Sequence, residues 1–255
     1  MSTVRVDRRG DGVAVLTLAR PDRLNALSSA VAADLAAGVS AVMADDAVRA
    51  IVVAGDGKAF CAGADIAELS TLDGPRGFAA FVQRLTDAFG VLASCPKPSV
   101  AALHGAVLGG GLELALACDL RIADETAKLG VPEIRLGLLP GAAGTVRLPR
   151  LLPKAIAKHL LLTGEPMTAV DAECFGLVNK VVPAGEALEA AGALAARLAS
   201  LAPLALAAAK RLVDEPLDDA IAAEREVVSG LFGTDDGIEG VRAFLEKRPP
   251  TFRGR

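Results

Sequence analysis

The spacing of apolar residues changes several times along the chain. Gly12–Leu18 runs apolar in β-forming residues, and Ala47–Ala54 carries Ile51, Val52 and Val53 just ahead of a Gly-Asp-Gly turn, so both stretches predict strands. Between them, Ser28–Met43 is alanine-rich with apolar residues at helical spacing behind a serine that suits an N-cap. Gly77–Leu92 predicts a second helix, Pro98–His104 a strand, Glu113–Ala117 a helix, Asp119–Ala123 a strand and Leu177–Val182 a last short strand. This recurrence of strand, turn and helix predicts an α/β architecture. From about Gly185 to Leu245 only helical patterns remain, punctuated by Pro203, Pro216, Gly230, Gly233 and Gly237. The shift divides the chain into an α/β core over residues 1–190 and a helical C-terminal region over residues 191–255, with no low-complexity linker between them. Ala187–Leu212 is the most apolar long stretch, but Glu189, Arg197, Pro203 and Lys210 interrupt it. It predicts surface-anchored helices and no membrane span.

Composition narrows the function classes. At 255 residues and 52% hydrophobic, the chain has ample material for a buried core. Acidic residues outnumber basic ones, 31 to 27, which gives no support to a nucleic-acid binder. Tyr and Trp are absent, so aromatic platforms for bases or sugars are not expected. Two histidines, His104 and His159, and four cysteines without C-x-x-C spacing argue against a metal centre or a redox motif. Met1–Arg9 lacks the apolar region of a secretory leader, and a cytoplasmic protein is expected.

Two glycine-rich turns lead into helices. Gly109-Gly110-Gly111 is poor helix interior, yet an apolar helical run follows at once. A helix that opens on glycine lets another group approach its free N–H donors, where the macrodipole favours negative charge; close helix packing accounts for the glycines equally well. Phe60-Cys-Ala-Gly-Ala64-Asp-Ile66 is a second turn-to-helix junction, and two such helix starts can each donate one N–H to a single oxygen, as an oxyanion hole requires. Glu113 lies three residues after Gly110 in a run apolar on all sides, an anomaly for a charge. Glu133 follows Pro132, where an acidic residue also serves simply to stabilise a helix start. His104 suits a turn, and Cys61 and Cys118 suit packing.

With these residues in place, the chain resembles the enoyl-CoA hydratase/isomerase (crotonase) family over nearly its full length. The matching stretches are Arg20-Pro-Asp-Arg-Leu-Asn-Ala-Leu27, Ala59-Phe-Cys-Ala-Gly-Ala-Asp-Ile66, Lys97-Pro98, His104-Gly105 through Gly109-Gly-Gly-Leu-Glu113, Pro132-Glu133, Pro140-Gly141 through Gly144-Thr145 with Arg147-Leu-Pro-Arg150, and Ala243-Phe-Leu-Glu-Lys-Arg248. The resemblance implies a spiral of ββα units with a helical C-terminal region, assembled as trimers that often pair into hexamers. It implies acyl-CoA thioester substrates and no metal or redox cofactor, coenzyme A being part of the substrate. The Ala64 and Gly110 N–H groups become the implied oxyanion donors, and Glu113 and Glu133 the implied catalytic pair. Ala62, Asp65, Ile66, Gly109 and Gly141 are implied neighbours of the substrate. Arg23 and Leu24 fall in a loop that passes the CoA nucleotide in relatives. Phe244 and Lys247 match positions that touch CoA, in some members from a neighbouring subunit; surface charge or a core aromatic explains such residues equally well. Two glutamates favour hydration of a trans-2-enoyl-CoA, Glu113 activating water and Glu133 supplying the C2 proton. The alternatives are a Δ3,Δ2-enoyl-CoA isomerase driven by Glu133 alone, another acyl-CoA enzyme of the family, and a non-catalytic CoA-ester or RNA-binding protein. Ala143 and Val146 stand where the common family pattern has Gly and Gln.

Overall fold

The computed structural model describes residues 2–214, 224 and 227–255, so Pro216 lies outside the described residues. The larger sheet orders six strands as β1 (Val4–Arg8), β2 (Val13–Leu18), β3 (Ala50–Gly55), β4 (Ser99–Leu103), β6 (Leu120–Asp124) and β9 (Lys180–Val182). β1 and β2 form an antiparallel hairpin and every later pairing is parallel. Parallel strands covered on both faces carry apolar residues at nearly every position, which is why β2 and β3 read as apolar runs. Leu16, Ile51, Val53, Ala101 and Leu103 point to one face, under α1 (Ser29–Met43) and α3 (Gly74–Ser94). Val13, Val52, Val100 and Ile122 point to the other.

A smaller sheet holds β5 (Ala106–Leu108), β7 (Lys128–Gly130) and β8 (Met167–Thr168), with β5 parallel to β7 and β8 antiparallel to it. The chain thus climbs in rungs. β4 enters the larger sheet, β5 the smaller one, and α4 (Gly110–Ala117) follows. β6 and β7 repeat the step before a 3₁₀ turn, Pro132–Leu136. After β3 the smaller sheet receives only a bridge, Cys61 to Val107, before α2 (Ile66–Leu69). Cys61 pairs with Val107 and Val107 with Leu129, so three consecutive rungs lie in register.

All eight residues of α4 are buried, as expected of a helix apolar on every side. Arg121, itself buried, donates from Nη1 to Cys118 O at 2.8 Å and from Nε to Leu177 O at 2.7 Å, satisfying carbonyls beyond the helix end. Gly111 explains how the rungs come so close. A Cβ there would collide with the Cys61 carbonyl oxygen and lie 2.8 Å from Cys61 Cβ.

Several expectations change in detail. The strand expected from Ala47 begins at Ala50, because Val48 N–H closes a turn onto Asp45 O. The strand expected from Leu177 begins at Lys180, because the Leu177 and Val178 N–H groups both return to Ala172 O behind α7 (Ala169–Cys174). The helix expected from Glu113 begins on Gly110 itself. The expected boundary at residue 190 falls inside α8 (Ala187–Ala199), a helix with one exposed face that is anchored on the sheet by the other. Its Ala187, Ala191, Ala195 and Ala199 are buried on the far face of the larger sheet. Among the described residues no single helix is long and apolar enough to cross a membrane; α8 and α9 (Pro203–Val213) pass such a test only as a pair bent by 111°. The C-terminal helix Asp235–Glu246 leads into a tail tied back to the body by Arg49 Nη2 donating to Phe252 O at 2.9 Å.

Gly111→Ala is therefore expected to push the Cys61 rung off α4 and destabilise the fold by about 2 kcal/mol. Calorimetric melting checks this, and an unchanged Tm contradicts it.

Candidate active site

The rung register carries Ala64 and Gly110 to matching places. Ala64 is three residues beyond Cys61 (64 − 61) and Gly110 three beyond Val107 (110 − 107). Leu27 N–H donates to Gly63 O and Asp65 N–H to Leu27 O, both at 2.8 Å, so the peptides on either side of Ala64 are fixed while the Ala64 N–H bonds to no acceptor among the described residues. Leu27 is itself held by its loop. Buried Asn25 donates from Nδ2 to Asp56 O and Ala59 O, and its Oδ1 accepts from Arg20 N–H. Gly110 is the first residue of α4, where an N–H has no intrahelical partner. The position a Gly110 Cβ would take lies 3.9 Å from both Ala64 N and Glu113 Oε2, so two free donors and a carboxylate oxygen border one small space. Ala64 precedes the Asp65 N-cap of α2, and its N–H is presented by a bridged loop, not by a helix start as the sequence suggested.

Glu113 is 3% exposed, and its Oε1 accepts from Ala142 N–H at 2.8 Å and Gly144 N–H at 2.7 Å. Burial raises its carboxyl above the usual range; those two N–H groups and the nearby charge of Arg147 oppose the rise. Glu133 lies across the cavity over Gly109, where a Cβ would come within 2.6 Å of Glu133 Oε1. Gly109 has φ 54°, so glycine is needed there for backbone as well as for space. The Glu133 Oε2 atom is buried and bonded to no group among the described residues. Burial, with a smaller push from the Glu113 carboxylate, moves Glu133 up to about 7 against the pull of its own backbone N–H. The two carboxyls thus share one cavity on unequal terms: one is fixed by two donors, while the other is poised to carry a proton near neutrality.

Of the substrate neighbours expected from sequence, Ala62, Ala64, Ile66, Gly109, Gly110 and Gly141 line this cavity together with both glutamates. Asp65 does not. Its carboxylate is committed to Arg20 Nη2 at 2.8 Å and to capping Ala67 N–H. Arg23 and Leu24 lie outside the lining, on the loop beside it, where Leu24 O accepts from Ala62 N–H. Phe244 and Lys247 are not at the cavity of their own chain; Phe244 is 83% exposed on the C-terminal helix. His104 approaches Gly57 O with its ring, and burial pushes the thiols of Cys61 and Cys118 up to about 12, which leaves both as packing residues. Sequence reasoning missed the two donors to Glu113 and the apolar wall of α3, Phe78, Phe81, Val82 and Leu85. The spacing of that wall by three and four residues is its only signal in the sequence. Among the described residues no group of three or more His, Cys, Asp or Glu is arranged to hold a metal ion.

A paired-glutamate cavity with two free N–H donors can be compared with known proteins. The family model described as enoyl-CoA hydratase/isomerase matches residues 8–255. The chain belongs to that family. A probable enoyl-CoA hydratase of Mycobacterium tuberculosis is 43% identical, over 99% of this chain and 98% of the relative. The 2,3-dehydroadipyl-CoA hydratase of Escherichia coli is 40% identical over 100% of both. Among solved structures, an enoyl-CoA hydratase from Bacillus anthracis superposes with a TM-score of 0.94 at 36% identity, covering 99% of this chain and 100% of that one. The spiral α/β architecture is therefore the crotonase fold.

Two outcomes are expected. Between 4.5, the ordinary value, and about 7, folded Glu133 holds a proton that the unfolded chain releases, so its ionisation opposes folding as pH rises through that window. Glu133→Gln should accordingly raise Tm over wild type at pH 8, an advantage that fades by pH 5; melting curves at both pH values decide it. Ala143 sits at φ 78° between the two residues that donate to Glu113. Ala143→Gly should stabilise the protein by about 1 kcal/mol, less whatever the freer unfolded chain takes back; denaturant titration measures it.

Proposed function

We propose that the protein is an enoyl-CoA hydratase, adding water reversibly and with syn geometry across the C2–C3 double bond of a trans-2-enoyl-CoA to give a 3-hydroxyacyl-CoA. The observation that carries this reading is the pair Glu113 and Glu133 in one apolar cavity beside the free Ala64 and Gly110 N–H groups. Both donors point at one thioester oxygen, drawing electron density from C3 and stabilising the enolate that forms. Glu113, ionised and anchored through Oε1, presents its other oxygen to a water, orients it toward C3 and takes its proton. Glu133, protonated, delivers its proton to C2. The water oxygen is then bonded to C3, Glu113 is protonated and Glu133 ionised, and a proton passes back between the two carboxyls before the next turnover. No step calls for a metal or a redox cofactor.

The exposed Arg23 and Leu24 beside the cavity suit the CoA nucleotide arm. Phe244 and Lys247, away from the cavity of their own chain, are assigned to the CoA moiety held by a second copy in a homotrimer or a hexamer of paired trimers, on the family resemblance.

Loss of the conjugated thioester absorbance of crotonyl-CoA tests the proposal, because hydration consumes that signal and isomerisation of a 3-enoyl substrate does not. Glu113→Gln and Glu133→Gln should each lower kcat at least about 100-fold while acyl-CoA affinity stays near wild type. Near-wild-type turnover in either variant removes the paired-glutamate mechanism.

A further inference from the structure

Among the described residues, the lining of the cavity contains no polar side chain other than Glu113 and Glu133. One wall is a stripe of α3, in which Phe81 and Leu85 are fully packed while Phe78 and Val82 stay half-exposed toward the cavity. Leu136, Leu138 and Leu139 face the same space, and the rim is apolar too, with Ile66 and Leu139 both more than half exposed. Four backbone donors of the site have assigned work: Ala142 and Gly144 hold Glu113, and Ala64 and Gly110 serve the thioester. A charged group at the far end of an acyl chain would find no cationic side chain and no hydroxyl among these residues. It would also share the cavity with two carboxyls. Burying an unpaired carboxylate among apolar side chains is strongly unfavourable, whereas a methyl end gains from the same surroundings.

Resting on the hydratase reading, we infer that the site selects enoyl-CoA thioesters with plain hydrocarbon chains and rejects chains that end in a carboxylate, with Phe78 and Val82 as specificity-determining residues. Both reach the cavity from a helix face whose remaining apolar members hold the core, so a change at either alters the chain's surroundings before it alters the fold. Val82 also packs on Gly141, where a Cβ would lie 3.0 Å from Val82 Cγ1, so the wall meets the opposite segment at that point.

Two substrates of equal length isolate the effect: trans-hex-2-enoyl-CoA, and the six-carbon 2-enoyl-CoA that bears a terminal carboxylate. Wild-type kcat/KM should favour the uncharged substrate at least about 100-fold, and Phe78→Arg should narrow that ratio at least about tenfold, as should Val82→Lys, which serves if the first variant does not fold. Calorimetry with the two saturated six-carbon acyl-CoAs should give the same order of affinity without any chemistry. Comparable hydration of both enoyl substrates overturns the selectivity and leaves the hydratase standing. Hydration of neither, with the binding preference intact, overturns the hydratase and leaves the selectivity standing. Equal binding of the two saturated thioesters overturns the selectivity whatever the turnover.

Discussion

Cys61, Val107 and Leu129 lie side by side in consecutive rungs, and the geometry of the site follows from that register. In a parallel arrangement a one-residue slip reverses every side chain and moves every N–H. Here the register is pinned on both sides. Gly111 admits the Cys61 backbone, and the Leu27 bridge grips the peptides around Ala64. Two donors remote in sequence therefore meet at one point with no side chain needed to bring them there. The larger sheet and its helices hold this register still.

The second requirement is a buried charge. Glu113 leaves water to reach the cavity, a step that favours its neutral form. Two N–H groups at the start of α5 (Gly144–Leu151), those of Ala142 just before it and of Gly144, its first residue, draw it back toward the ionised form together with Arg147 on the same helix. Glu133 receives no such support and rises. Two backbone donors and a nearby guanidinium, present at one carboxyl and not at the other, thus separate a water-orienting group from a proton-carrying one.

Much of this was legible in the sequence because it took the form of anomalies. A glutamate in an all-apolar helix and three glycines at a helix start each contradict local preference, and both mark the site. The glycines had two explanations, and the structure uses both: Gly111 serves close packing and Gly110 leaves its donor open. What stayed hidden leaves no residue signature. Ala142 and Gly144 act through backbone N–H groups, which every non-proline residue owns. β5, β7 and β8 are too short to show a period. Asp65, a substrate neighbour only by family resemblance, keeps the capping role that its place at a helix start suits, and Arg20 takes the rest of its carboxylate. The α3 stripe resembles any core-facing helix face, and only the assembled cavity shows that half of it looks into open space.

The two free donors are main-chain atoms fixed by strand register, and this makes thioester activation mutationally insulated. Replacing side chains around the cavity can change which acyl groups enter and where protons go, but it leaves the electrophile-polarising element untouched unless the backbone itself moves. A chain of this kind can drift from one acyl-CoA reaction to another by exchanging a carboxylate or a wall residue. The part of the machinery hardest to reinvent is carried along unchanged.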